Sequence, residues 1–130
     1  MADFPGITHV ALTVSDFDRS VAWYGRLFGS KPDKLDDNGV FRAAVWLLGR
    51  GTIVALHQFK GPRTEPFDEF RPGLDHLAFG CTDRAELAAW AARLNALGIE
   101  HGDICDEPYG SGLSLRDPDH IALEFFSPPS

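Results

Sequence analysis

The chain carries the stretch THVALTVSD at residues 8–16, and a closely similar stretch, DHLAFGCTD, returns at residues 75–83. Each stretch is typical of a β-strand whose side chains alternate between two faces, and each ends in an Asp that can cap a following helix. One supersecondary unit used twice places like residues at like positions. The repeat therefore predicts two similar halves, each beginning with a strand that leads into a helix.

The same separation of 67 residues relates further parts of the halves. It pairs Ala22-Trp23 with Ala89-Trp90, and Ala55-Leu56-His57 with Ala122-Leu123-Glu124. Each half then has the order β-α-β-β-β, which predicts an α+β fold of two tandem βαβββ modules. We expect one domain over residues 1–130, with module 1 at about 6–60, a connector at 60–73 and module 2 at about 74–127.

Local signals predict the individual elements. Helices are expected from Ser15-Asp16 to about Phe28, closed by Gly29, and from Thr82-Asp83 to about Leu97, ended by Gly98. Strands are expected at residues 7–14, 41–48, 52–59, 74–81, 101–106, 111–116 and 121–126. The pair Asn38-Gly39 is a hairpin turn signal, and the acidic run 33–37 before it is expected to be a solvated loop.

Composition excludes several classes of partner. The net charge is −7 without a basic cluster, which argues against nucleic acid and against anionic membranes. No apolar run approaches the roughly 18 residues of a membrane span, and the first residues lack the features of a signal peptide. The two cysteines have no CxxC spacing. We therefore expect a cytoplasmic protein with reduced thiols.

Four candidate metal ligands lie at places related by the repeat: His9, His57, His76 and Glu124. Each has an alanine two positions away, which is on the same face of a strand, so an open pocket is expected around them. Three imidazoles and a carboxylate suit Zn, Ni, Co, Mn or Fe(II). The alternative is that each His is an ordinary interior or edge residue. That alternative is weakest for Glu124, because a carboxylate among apolar neighbours needs a cation or donors.

Other candidate residues have a structural interpretation. Strand parity predicts that Cys81 faces the core, away from the ligands. His101 and His120 break the repeat and are expected at the surface. Trp23 and Trp90 are expected to pack the helices against the sheets.

These motifs resemble those of the vicinal oxygen chelate superfamily, which includes glyoxalase I, extradiol dioxygenases, methylmalonyl-CoA epimerases, and fosfomycin- and bleomycin-resistance proteins. The resemblance covers about residues 6–127. It is carried by residues 8–16 with Ser20-Val21-Ala22-Trp23-Tyr24, by Gly73-Leu74-Asp75-His76-Leu77-Ala78-Phe79, and by Arg116-Asp117-Pro118-Asp119 leading to Leu123-Glu124-Phe125. It implies a cupped eight-stranded mixed sheet around one divalent metal ion, and a homodimer.

The resemblance also implies a ligand set and an activity. The ligands would be His9, His57, His76 and Glu124, and the metal would chelate a small-molecule substrate with neighbouring oxygens. Glu124 would act as ligand and proton shuttle, and His57 as ligand or general base. The reaction would be glyoxalase-like, as a lyase or isomerase, or dioxygenase-like. An alternative is a metal-free protein that sequesters a small molecule, as bleomycin-resistance proteins do.

The sequence departs from the family pattern at several positions. Where bacterial glyoxalase I carries residues for glutathione, this chain has Thr13 and Gly61. Tyr109 is available as the acid-base tyrosine of a dioxygenase. His120 replaces the usual Gly after Asp-Pro-Asp, which is expected to alter only a turn.

Overall fold

The computed structural model describes residues 3–61 and 65–130. The chain divides into two compact units, Met1–Thr64 and Glu65–Ser130. Residues 62–64 of the expected connector lie outside the described residues. No helix in the described ranges has the length and apolar character needed to cross a membrane.

The first unit is a four-stranded mixed sheet with one helix. Its elements are β1 (His9–Thr13), α1 (Phe17–Phe28), β2 (Lys34–Asp37), β3 (Phe41–Leu47) and β4 (Ile53–Phe59), with a short 3₁₀ turn at Gly49–Gly51. The strand order is β1-β4-β3-β2. β1 runs parallel to β4, and the other pairs are antiparallel.

The second unit repeats this plan. Its elements are β5 (Leu77–Gly80), α2 (Arg84–Leu97), β6 (Cys105–Glu107), β7 (Gly110–Arg116) and β8 (Ala122–Ser127), in the order β5-β8-β7-β6. The predicted α+β class with two βαβββ units is confirmed. Its eight strands form two four-stranded sheets, one in each unit.

In the first unit, the helix covers one face of the sheet. The Asp16 side chain accepts the Arg19 N–H and caps α1, and Gly29 ends the helix with φ 76°. The core beneath it contains fully buried Tyr24 and Trp46, and the Trp46 indole donates to the Ser30 carbonyl oxygen. Because strand side chains alternate, the opposite face carries the odd-numbered residues of β1 and β4, which include both candidate histidines of this unit.

The two helices differ in length, and this changes the pairing of the halves. α1 has 12 residues and α2 has 14, so the caps Asp16 and Asp83 are 67 residues apart but the closing glycines, Gly29 and Gly98, are 69 apart. Strand register follows the longer separation. Ala11 lies opposite Ala55 in the first unit, whereas Ala78 lies opposite Glu124 in the second.

The expected pairing of His57 with Glu124 is therefore wrong. The structural counterpart of Glu124 is Ala55, and that of His57 is Phe126, since His57 and Phe126 accept equivalent hydrogen bonds from Val14 and Cys81. The second unit has two extra residues, which lie at the end of α2. They come after the part of the repeat that can be recognised in the sequence.

Two local expectations also need correction. The acidic run is a strand rather than a loop, because β2 pairs with β3 while its side chains stay exposed. Asp33, just before it, accepts the Leu47 N–H at 2.7 Å. His76 lies one residue before β5 rather than on it.

The described part of the expected connector is fastened to the second unit. Glu69 forms a two-point ion pair with Arg116, at 2.8 and 3.0 Å, and the Phe67 N–H donates to the Asp119 carbonyl oxygen. Residues 65–73 thus belong with the second unit.

Candidate metal centre

In the second unit, an imidazole and a carboxylate face one another. His76 Nε2 lies 4.0 Å from Glu124 Oε1, and their side chains are 45% and 24% exposed. His76 stands just before β5, and Glu124 lies on β8 opposite Ala78, two residues after His76. The parallel pairing of β5 with β8 is what brings together two residues that are 48 positions apart in the chain.

Asp75 determines which nitrogen of His76 is free. His76 Nδ1 donates to Asp75 Oδ1 at 2.7 Å, because a carboxylate can only accept. With its proton on Nδ1, a neutral imidazole carries its lone pair on Nε2. Two acceptors, Nε2 and the Glu124 carboxylate, then face each other, and a cation between them would relieve their repulsion. A carboxylate on the far nitrogen is also the usual way that a metal-binding His is oriented.

The Glu124 carboxylate lies over a strand position without a side chain. A Cβ added to Gly112 of β7 would come within 3.3 Å of the carboxylate carbon and of Oε2. Within residues 3–61 and 65–130, no donor hydrogen-bonds this carboxylate, and His76 Nε2, at 4.0 Å, is the only basic nitrogen within that distance of it. The Glu124 side chain thus occupies space that a larger residue at position 112 would fill. Its carboxylate oxygens accept no hydrogen bond from the described residues.

The first unit places its two histidines on one face but in different rows. His9 begins β1 opposite Ile53, whereas His57 lies opposite Thr13. Four residues of strand separate these rows, a span of about 13 Å along the strand. Thr8 Oγ1 lies 2.8 Å from His9 Nδ1, which leaves His9 Nε2 available as a ligand atom.

The His57 ring is stacked on an aromatic neighbour. Its ring centroid lies 4.6 Å from that of Phe41, with 12° between the planes, and Phe59 lies beside both rings. Stacking restrains the plane of the His57 ring but covers only its face. The two ring nitrogens, which lie at the edge of the ring, are not covered by this contact. His57 is therefore oriented by Phe41 from the neighbouring strand.

The candidate residues fit a metal ion in part. His76 and Glu124 supply two ligands of the types that Zn, Ni, Co, Mn and Fe(II) accept. In the described ranges, no three His, Cys, Asp or Glu side chains lie close enough together to hold an ion.

Other residues singled out by the sequence have structural partners. Cys81 is buried, as expected. His101 contacts the Asn95 side-chain oxygen through Nε2 and the Gly102 carbonyl oxygen through Nδ1, both at 2.7 Å. His120 adopts φ 68° in the β7–β8 turn.

Arginines lower the pKa of two carboxyl groups in the second unit. A hydrogen bond from Arg116 lowers the pKa of Glu69 to about 2. Hydrogen bonds from Arg84 and Ser111 lower the pKa of Asp106 to about 2. Both pairs join strands or segments at the surface, so we assign them to stability rather than to chemistry.

Three residues of the site were missed at the level of sequence. Asp75 orients His76, Gly112 makes room for Glu124, and Phe41 stacks on His57. Asp75 had a signal, since it directly precedes the candidate ligand. Gly112 and Phe41 had none, because their roles depend on cross-strand register.

Residues 6–125 match the sequence model of the Glyoxalase/Bleomycin resistance protein/Dioxygenase superfamily. PA2024 of Pseudomonas aeruginosa is 30% identical over 127 residues, covering 93% of this chain and 87% of that protein. YqjT of Bacillus subtilis is 28% identical over 129 residues, covering 92% and 97%.

Solved structures agree with this match. A glyoxylase/bleomycin resistance protein/dioxygenase domain from Frankia sp. EAN1pec superposes with a TM-score of 0.88 at 34% identity, covering 98% of this chain and 95% of that one. The fosfomycin resistance protein FosX from Listeria monocytogenes has a TM-score of 0.72 at 17% identity, covering 98% and 96%. At that identity, the likeness to FosX concerns the fold alone.

Proposed function

Because the chain belongs to the Glyoxalase/Bleomycin resistance protein/Dioxygenase superfamily, we propose that it is an enzyme that uses a divalent metal ion to act on a small oxygenated organic molecule. The reaction would be that of a glyoxalase-like lyase or isomerase, or of a dioxygenase-like enzyme. This fold hosts many chemistries, so the proposal depends on the residues of the site.

The observation that carries the proposal is the geometry around His76. Its Nδ1 is committed to Asp75, and its Nε2 lies 4.0 Å from a Glu124 oxygen that has no donor in the described ranges. Placing two acceptors face to face is unfavourable unless a cation joins them. When bound there, a divalent ion would act as a Lewis acid on the substrate oxygens.

We assign different roles to the two histidines of the first unit. His9 stays a candidate metal ligand, because the repeat relates it to His76 and its Nε2 has no hydrogen-bond partner in the described ranges. His57 lies about 13 Å further along the strands, and we propose that it is a general base rather than a ligand. Its stacking on Phe41 would keep the ring in one orientation for proton transfer.

The test is the metal content of untagged protein purified without chelator. We expect about one divalent ion per chain in the parent protein. His76→Ala and Glu124→Gln should lose it, His9→Ala should weaken binding at least tenfold, and His57→Ala should retain it.

His101→Ala is the matched control, because this imidazole has its own partners in Asn95 and Gly102. It should bind metal as the parent does. If His76→Ala retained metal while staying folded, the proposed ligand pair would be rejected. Loss of metal from His57→Ala would instead return that residue to the ligand set.

A second candidate function is metal-free sequestration of a small molecule. One observation favours it. Ala55 occupies the place in the first unit that Glu124 has in the second, and an alanine side chain has no atom that can bind a metal ion. A parent protein that binds no divalent ion in the same assay would support this function over the enzyme.

A further inference from the structure

A small cavity lies where β3 begins and β4 ends in the first unit. Its volume is about 310 Å³, near the lower end of the range of about 300–1,000 Å³ for small-molecule sites. Phe41 and Phe59 supply apolar lining, and Asp37, Arg42 and Lys60 supply charge. The proposed reaction uses Phe41 to orient His57, but it gives no role to the charged lining residues Arg42 and Lys60.

The aromatic part of the cavity is held in place before any ligand enters. The centroids of Phe41 and Phe59 are 5.4 Å apart with 48° between the planes, and His57 stacks on Phe41. Phe59 is nevertheless 45% exposed. Fixed, partly exposed phenyl rings favour a flat aromatic ligand, because little ordering remains to be done on binding.

The charged side chains of the cavity differ in the partners that they already have. Arg42 pairs with Asp18 at 3.1 Å and lies over the Phe17 ring. Asp37 accepts the Gly39 N–H.

Lys60 is different. Its backbone N–H donates to the Val40 carbonyl oxygen at 3.4 Å, but its ammonium group has no ion pair with any residue in the described ranges. Because Asp18 offsets the charge of Arg42, the Lys60 ammonium is the cation of the cavity lining that has no ion-pair partner in the described ranges. An anionic group that enters the cavity would therefore pair with Lys60.

We propose that this cavity binds a single-ring aryl carboxylate. The ring would lie against Phe41 and Phe59, and the carboxylate would pair with Lys60. The inference goes beyond the proposed enzyme, because it requires no metal ion, and it is tested on chelator-treated protein so that failure of one leaves the other standing.

The experiment follows backbone amide resonances of the full chain during titration with benzoate. Cyclohexanecarboxylate, which keeps the charge but lacks the aromatic ring, and benzamide, which keeps the ring but lacks the charge, are titrated in parallel. Benzoate should give saturable shifts at Phe59, Lys60 and Gly61. Its affinity should exceed that of either comparison compound by about fivefold.

Two variants separate the contributions. Lys60→Gln should reduce benzoate affinity about fivefold and leave benzamide affinity unchanged. Phe59→Leu should remove the preference for benzoate over cyclohexanecarboxylate. The matched controls are Lys31→Gln and Phe4→Leu, which alter exposed residues of the same unit outside the cavity and should bind benzoate as the parent does.

Three results would overturn the proposal. One is an unsaturable response, or one away from the cavity. Another is equal affinity for benzoate in the parent and in Lys60→Gln. The third is equal affinity of the parent for benzoate and cyclohexanecarboxylate. Circular dichroism of each variant establishes that it is folded before it is titrated.

Discussion

At Gly112, the missing side chain lets the Glu124 carboxylate lie against β7. An added Cβ would approach the carboxylate to 3.3 Å, so the side chain would have to turn. We expect Gly112→Ala to weaken metal binding about tenfold, the size typical of changes just outside the ligand shell, with little change in thermal stability.

Gly102→Ala is the control for Gly112→Ala. Its Cβ would meet the Ser114 carbonyl oxygen at 3.8 Å, an ordinary contact, so metal binding should not change. Competition with a coloured chelator measures the affinity of both variants. Equal affinities in parent and Gly112→Ala would show that the carboxylate position does not matter.

Gly110 is required for a different reason. It has φ 145°, and an added Cβ would overlap the Phe126 ring and the Ser127 carbonyl oxygen. We expect Gly110→Ala to lower the free energy of unfolding by about 3 kcal/mol or more. Gly51 has φ 74° but open space around it, so Gly51→Ala tests the effect of the backbone conformation alone. It should lower the free energy of unfolding by only about 1 kcal/mol. Urea unfolding of both variants gives the comparison, and equal losses would mean that the overlap at Gly110 relaxes.

At the level of elements, helix caps and strand patterns made most of the fold predictable. Asp16, Gly29, Asp83 and Gly98 mark the helix ends both in the sequence and in the structure. The position of His57 along the strand was not predicted, because the constant separation of 67 residues does not include the two extra residues of α2. Its face was predicted, because strand side chains repeat every two residues and a shift of two keeps the same face. Partners such as Gly112 depend on register and cannot be read from one chain.

The Glu69–Arg116 ion pair fastens a segment of 12 residues before β5 to β7. Because Arg116 lowers the pKa of Glu69 from 4.5 to about 2, the pair stabilises the fold above pH 4.5, and this contribution is lost as pH falls toward 2. Glu69→Gln should therefore melt below the parent at pH 7, and the difference should disappear near pH 2.

Thermal unfolding at several pH values tests the role of Glu69. Glu100→Gln, an exposed carboxylate in the same unit, should match the parent throughout. A difference between Glu69→Gln and the parent that persists unchanged at pH 2 would show that packing, not charge, holds the segment.

For the whole molecule, the metal is expected to matter more for chemistry than for folding. Each sheet already has a buried core that contains no candidate ligand, including Trp46 and Leu56 in the first unit and Leu113 and Leu123 in the second. Chelation should therefore lower the melting temperature by a few degrees, in proportion to the binding free energy that is lost, and leave the circular dichroism spectrum unchanged. Loss of that spectrum on chelation would make the metal structural.

The parallel pairing of β5 with β8 also has a kinetic consequence. Ala78 and Glu124 are neighbours across 46 residues of chain, whereas β7 and β8 are joined by a short turn. Chain entropy favours the local hairpin early and the distant strand late, so the His76–Glu124 pair should form after the rate-limiting step. A bound ion should then slow unfolding without accelerating refolding, and stopped-flow fluorescence with and without metal measures both rates. Faster refolding with metal would place β5 in the folding nucleus. Slower unfolding with unchanged refolding would mean that the bound ion prolongs the lifetime of the folded state.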